Sequence, residues 1–227
     1  MATILQIETA TSVCSAALSR DGHTIALKEL MASNIHAGSL TLFIADVMDE
    51  AKLSYADLDA IAVSIGPGSY TGLRIGVSTA KGLCYALEKP LIAVPTLQMM
   101  AAGFIAEQPG YNGIVCAMID ARRMEVFTAL FDASGDAIGE TTAKIIDGQS
   151  YDDELERGLV TFIGDGATKC STTLEHVNAV FSERNYNSAG NMSALAQQAY
   201  VNAQFEDLAY FEPFYLKDFV VTTPRKK

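Results

Sequence analysis

The sequence predicts an α/β protein built from two duplicated strand-strand-strand-helix units, and three observations predict it. Short apolar runs with strand character alternate with longer segments of helical periodicity. The pattern breaks at Gln108-Pro109-Gly110-Tyr111-Asn112-Gly113 and begins again, which divides the chain into residues 1–108 and 109–227. The restart resembles the beginning. With Glu8 set against Asp120, Ile4 to Ile7 lies over Cys116 to Ile119 and Cys14 to Ser19 over Val126 to Phe131. In each copy an apolar strand ends in a carboxylate, a short polar turn follows, and a second strand runs to a turn of small residues.

The elements follow in order. Ile4 to Ile7 reads as a strand, and Val13 to Ser19 as a second that Arg20-Asp21-Gly22 turns into a third, Thr24 to Met31. From His36 to Ala51, Leu40, Phe43, Ile44, Val47 and Met48 cover one broad side of a helix, with Thr41, Asp46, Asp49 and Glu50 on the other. Leu58 to Ile65 is the next strand, and the glycine-rich stretch Gly66 to Gly76 turns it into a helix. Pro90 to Val94 is a strand and Thr96 to Glu107 a helix. The second half continues with the segment Thr142 to Ile146, a helix at Tyr151 to Arg157, a strand at Leu159 to Ile163, a glycine turn at Gly164 to Ala167 and a helix at Met192 to Tyr200. Pro213-Phe214-Tyr215-Leu216 reads as an extended aromatic segment able to pack back on the core.

Composition narrows the function. The 227 residues carry 49% apolar side chains, ample for a packed core, and a net charge of −11 that opposes extended direct contact with nucleic-acid phosphates. Cys14, Cys84, Cys116 and Cys170 form no Cys-x-x-Cys pair and read as reduced core residues of a cytoplasmic protein. No run approaches the roughly 20 apolar residues of a membrane helix, and no signal-peptide pattern opens the chain.

The stretch Gly66-Pro67-Gly68-Ser69-Tyr70-Thr71-Gly72-Leu73-Arg74-Ile75-Gly76 carries the sharpest chemistry. Gly66 and Gly68 permit positive φ around Pro67, and Ser69 or Thr71 can cap the helix that follows. Gly68, Ser69, Thr71 and Arg74 make an anion or carboxylate site one reading; a tight turn that binds nothing is the other. A phosphate loop is excluded, because no Lys-Ser/Thr follows at the required spacing. Beyond the turn, Leu73, Val77, Ala80, Cys84 and Leu87 form an apolar stripe, while Gly72 and Gly76 bare the backbone near Ala80 and Leu83. Two helical glycines, each costing about 1 kcal/mol relative to alanine, call for close approach by a neighbour, from this chain or a partner. Glu8 and Asp120 at equivalent positions would suit magnesium and a nucleotide, but the turns after them hold no glycine, and Arg122 and Arg123 could bind carboxylates instead. His23, His36 and His176 are isolated, with Leu40 four residues after His36, so no paired-imidazole metal site forms on that helix. Neither a Gly-x-Ser-x-Gly elbow nor a Cys/His pair is present.

Together, Ile4 to Leu18, the run Gly66 to Gly76, Asp120-Ala121-Arg122-Arg123-Met124-Glu125-Val126-Phe127 and Pro213-Phe214-Tyr215-Leu216 closely resemble the TsaB (YeaZ) family, densely over the first 130 or so residues and more thinly afterwards. The resemblance implies an actin-like ATPase (ASKHA) fold of two duplicated subdomains. It implies a part in making N6-threonylcarbamoyladenosine at position 37 of tRNA, as an inactive relative that pairs with a TsaD-like catalytic subunit and a TsaE-like ATPase. A homodimer is expected when the chain is alone, with tRNA reached only through the complex. No catalytic, metal or cofactor residues of its own are expected, ATP or ADP belonging to the complex interface. The His-x-x-x-His metal motif of the catalytic relatives is interrupted here at Leu40. The docking surface expected is the helix His36 to Ala51 together with the glycine face of the next, represented by His36, Leu40, Phe43, Val47, Gly72, Gly76, Ala80 and Leu83. Bulk at Gly76 is then expected to weaken assembly without unfolding the chain. An active ATPase or phosphotransferase using Glu8 and Asp120, and a glycoprotease-like metallopeptidase, are the alternatives on the same fold.

Overall fold

The computed structural model describes residues 1–31 and 36–217. β1 (Thr3–Glu8), β2 (Val13–Arg20) and β3 (His23–Met31) form an antiparallel meander, followed by α1 (His36–Ala51), β4 (Ala60–Ser64), α2 (Tyr70–Leu87), β5 (Leu91–Val94) and α3 (Thr96–Glu107). The second half repeats the series: β6 (Ile114–Asp120), β7 (Glu125–Phe131), β8 (Thr142–Ile145), α4 (Asp152–Arg157), β9 (Val160–Ile163), α5 (Asp165–Cys170), β10 (Ala179–Phe181) and α6 (Ser193–Val201). The strand orders are β3-β2-β1-β4-β5 and β8-β7-β6-β9-β10. In both sheets the meander is antiparallel and the last two strands join in parallel. This duplicated arrangement is the actin-like fold.

The repeat read from sequence is therefore structural, with one adjustment of register. The first hairpin closes at Glu8 opposite Ser15 and the second at Asp120 opposite Val126. The second turn is one residue shorter, so Ser15 rather than Cys14 corresponds to Val126. β10 lay below what the pattern could reveal: it is a three-residue edge strand of mixed exposure. The Gly164 to Ala167 stretch, read as a turn, passes directly into α5.

Central strands are buried on both faces, which is why β1 and β4 read as nearly continuous apolar runs. Mid-strand Gln6 is satisfied: its Nε2 donates to Ser19 Oγ at 2.9 Å and to Ser193 Oγ at 3.2 Å. α1 and α2 cover the outer face of the first sheet, where Leu40, Ile44, Val47 and Ala80 meet Ile61 and Val63. Tyr151, Leu155, Phe162 and Cys170 make the smaller outer cluster of the second.

Between the sheets the two repeats exchange helices. α3 packs on β6 and β7 of the second sheet, and α6 on β5 and β1 of the first. Ile4, Ala60 and Ile92 thus share one central cluster with Val115, Ala117 and Ile163, filled by Leu97, Met100 and Phe104 of α3 and by Ala196 of α6. The sequence boundary at 108/109 falls between α3 and β6, but the packing continues across it. The chain after α6 returns to the first half, where the Glu206 N–H donates to Leu91 O at 2.9 Å and the Phe214 N–H to Ile65 O at 2.8 Å. A shared centre couples the halves on unfolding. Ile92→Ala, at a fully buried position of that cluster, is expected to cost about 2–5 kcal/mol. Urea unfolding followed by circular dichroism should show one transition at lower denaturant, not the loss of the first half alone.

Candidate functional site

A cleft of about 810 Å³ opens where the two halves meet. Its walls are the turn after β1 (Ala10, Thr11, Ser12), the start of α2 (Gly68 to Gly72), the turn after β6 (Asp120, Ala121, Arg122), Asp165 at the start of α5, and the late segment Phe214 to Lys217. The cleft thus lies at the ends of equivalent strands and the beginnings of equivalent helices.

The first glycine turn is shaped by this chain's own backbone. Gly66 takes φ +111°, and the Gly66–Pro67 peptide is cis. Gly68 needs no positive φ; its reason is proximity, since a Cβ there would lie 2.3 Å from Ala10 O. One at Gly72 would lie 2.0 Å from Thr9 O, and one at Gly76 2.3 Å from Thr9 Oγ1. Thr9 Oγ1 donates to Gly72 O at 2.8 Å, and the Ser69 N–H donates to Ala10 O at 2.6 Å. Ser69 is the N-cap of α2, its Oγ accepting the Gly72 N–H at 3.3 Å.

These contacts correct two expectations. Gly72 and Gly76 do not bare backbone to a partner; the close neighbour they call for is the β1 turn of the same chain. Leu40, Val47 and Ala80 are likewise buried in its core, half-buried Phe43 and Leu83 pack against that core, and buried His36 has its Nε2 3.1 Å from Val13 O. The anion cradle is not assembled either. Gly68, Ser69 and Thr71 line the cleft, but Ala10 O takes the Ser69 N–H and Ser69 Oγ the Gly72 N–H, and Arg74 is not on the cleft wall. Its guanidinium lies over the Tyr70 ring at 5.4 Å, on an adjoining shallow groove with Ser78 and Thr79 that shares Ala37, Tyr70, Thr71 and Ile75 with the cleft.

The two equivalent carboxylates part company as well. Glu8 is fully buried, with Oε1 accepting the Ala10 N–H and Oε2 lacking a hydrogen-bond partner among the described residues. Burial outweighs that N–H and the nearby Ser64 hydroxyl, whose geometry falls short of a hydrogen bond, and pushes the carboxyl up to about 7. Asp120 is half exposed, pairs with Lys169, and accepts the Arg122 N–H at 2.8 Å through Oδ1. Arg122 and Arg123 follow with φ +72° and +52°, a left-handed pair made without glycine.

Sequence reasoning named the Gly164 turn but missed Asp165, which the fold places opposite Asp120. Its Oδ1 accepts the Asp120 N–H at 3.0 Å, and burial and the Asp120 charge raise its carboxyl above the usual range against that N–H. Gly166 repeats the role of Gly68, since a Cβ there would lie 2.8 Å from the Ile119 carbonyl carbon. Among the described residues, no group of three or more His, Cys, Asp or Glu side chains is placed to hold a metal ion. All four cysteines are free and buried, and burial drives Cys14 up to about 11 and Cys84 and Cys116 to about 12, which keeps these thiols protonated. No described helix is long and apolar enough to cross a membrane.

A family model described as TsaD, tRNA N6-adenosine threonylcarbamoyltransferase, matches residues 30–224. The tRNA threonylcarbamoyladenosine biosynthesis protein TsaB of Escherichia coli (strain K12) is 31% identical over 221 residues, which span 95% of this chain and 94% of that protein. The chain belongs to the TsaB family. The Bacillus subtilis (strain 168) TsaB is 34% identical over 129 residues, 57% of this chain and 55% of the relative. YeaZ from Pseudomonas aeruginosa has the same structure to a TM-score of 0.82 at 27% identity, covering 95% of this chain and all of that one (100%). The (R)-2-hydroxyglutaryl-CoA dehydratase component A of Acidaminococcus fermentans, at 10% identity and a TM-score of 0.52 over 88% of this chain and 100% of its own, shares the fold alone.

Two outcomes follow from this geometry. Gly72→Ala forces a methyl against the Thr9 carbonyl and is expected to lower stability by about 1–3 kcal/mol; Gly76→Leu should lower it further, both read as a fall in Tm of the isolated chain. For Glu8, the folded carboxyl holds its proton up to about pH 7 whereas its ordinary value is 4.5. Between those values the folded chain binds the extra proton, so stability falls as pH rises through the window. Glu8→Gln is expected to unfold at higher denaturant than the parent at pH 8, by on the order of 2 kcal/mol, with the gain gone at pH 4.

Proposed function

We propose that this chain is a non-catalytic scaffold subunit required for N6-threonylcarbamoyladenosine formation at position 37 of tRNA, pairing with a TsaD-like catalytic subunit and a TsaE-like ATPase. Kinship supplies the pathway. The observation that carries the scaffold reading is the filled glycine turn: where an actin-like cleft would offer a helix N-terminus to a phosphate, the Thr9 and Ala10 carbonyls of this chain already stand. Glu8 is closed off from solvent, and an Asp165 carboxylate occupies the second helix start. These residues do not fit a magnesium-nucleotide of the actin-like kind, so ATP or ADP belongs to the complex interface and no step is routed through the cleft.

The docking surface is the outer side of α1 and α2, not the glycine line first expected. Ala37, Ser78 and Thr79 line a shallow groove of about 440 Å³ with Arg74 and Ile75. Gly38 and Gly82 have open space where a Cβ would go, and Leu42 and Tyr85 are 63% and 80% exposed. Small residues flanked by exposed apolar ones suit close helix–helix contact, and two adjacent helices can supply one side of an interface of about 1,600 Å². A second copy takes the same face when the partner is absent. The net charge of −11 leaves tRNA to the partners.

Reconstitution with the TsaD-like and TsaE-like proteins of the same organism tests this. Modification of tRNA should require the chain, and Ser78→Arg, on the exposed face of α2, should weaken association at least about tenfold with Tm unchanged. Equal modification without the chain, or magnesium-dependent ATP turnover by the chain alone that Glu8→Ala abolishes, would overturn the scaffold reading.

A further inference from the structure

The segment from Phe211 to Lys217 runs from the first half to the second, lining the cleft with Phe214 to Lys217, and its two ends are held by forces of different kinds. On the first half the hold is multiple. Lys81 Nζ donates to Phe211 O at 3.0 Å, the Phe214 N–H donates to Ile65 O at 2.8 Å, and the Tyr215 ring meets Tyr70 with centroids 4.9 Å apart. The contact is tight enough that a Cβ on Gly66 would lie 2.7 Å from Phe214 O. Phe211 also packs against the apolar cluster beneath α1 and α2.

On the second half the described segment has a single polar hold. The Lys217 ammonium pairs with Glu125, the first residue of β7, and stands 5.9 Å over the Phe127 ring. The Lys217 and Glu125 side chains are 43% and 24% exposed. An ion pair this accessible is screened by salt and biases an equilibrium only severalfold, whereas the backbone bond and ring contact at the other end are insensitive to ionic strength. Phe127, Asp120 and Arg122 line the same cleft as the segment.

We infer that residues 211–217 form a strap fixed to the first half and latched to the second through Lys217 and Glu125, which spans one side of the cleft and releases at the Lys217–Glu125 pair. The strap joins the halves on the cleft side, apart from the central cluster and from the hydrogen bonds that tie Ser188, Ala189, Gly190 and Ser193 to Glu29, Ser15, Thr24 and Gln6. Release at Lys217 leaves both cores intact and frees the segment from the second half. The strap acts within one chain, so it stands independently of the pairing proposed above.

Limited chymotrypsin digestion of the full chain, with cleavage after Phe214 and Tyr215 read by mass spectrometry, tests the latch. Lys217→Glu and Glu125→Lys should each raise the initial cleavage rate roughly fivefold, and the charge-swapped double variant should return it to within about twofold of the parent. About 1 M sodium chloride should accelerate cleavage of the parent and leave Lys217→Glu unchanged. Hydrogen exchange across residues 114–120 reports on the fold; if Lys217→Glu loses protection there, Lys217→Ala is scored in its place. Single variants cleaved at the parental rate, or a double variant as fast as the singles, would overturn the latch.

Discussion

The contact between the turn that ends β1 and the glycine line that opens α2 governs the rest of the molecule. Thr9 and Ala10 present their carbonyls where side chains at Gly72 and Gly68 would stand, so the helix approaches the strand end more closely than any Cβ allows. The same construction returns in the second half. Gly164 and Gly166 receive Met118 O and the backbone of Ile119 and Asp120, with a Cβ at Gly164 falling 2.3 Å from Met118 O. Two strand ends and two helix starts are thereby locked at equivalent places, and the cleft is the space left between them.

That lock has a cost in polar groups. Holding the Ala10 N–H takes the Glu8 carboxyl into a fully buried position, with one oxygen unpartnered. A protonated acid tolerates such a place far better than a carboxylate, which accounts for the raised value and for stability that declines toward alkaline pH. Asp120, its equivalent, stays half exposed because Lys169 neutralises it at the surface. Duplication preserved the backbone and let the side chains diverge.

The halves diverge in their outer layers too. α1 and α2 run 16 and 18 residues, whereas α4 and α5 run 6 each. Among the described residues, two helices this long lie side by side in the first half alone, with a groove along α2 that Ala37 of α1 also lines. α3 and α6 lie on the inner faces, so that each sheet is faced by the other repeat's helix. The late aromatic segment then ties the halves together on the open side.

Much of this was legible in the residues. The break after Gln108, the carboxylate that ends each first strand, and the limits of α1 and α3 follow from local patterning, because strand and helix periods depend on neighbours in sequence; Pro213 to Leu216 comes back to the first half, but Phe214 and Tyr215 stay exposed beside the cleft instead of packing on the core. Only the tertiary structure decided what faces Gly72 and Gly76. Helical periodicity places them on one line, but glycine has no side chain whose polarity would tell whether that line meets this chain or another. Nor could sequence foresee that Glu8 is buried while Asp120 is not, or that Lys217 reaches Glu125: burial and long-range pairing are set by how the two sheets come together. The sequence alone determined the repeat and its elements; the packing of one repeat against the other decided which of their residues remain available for chemistry or for partners.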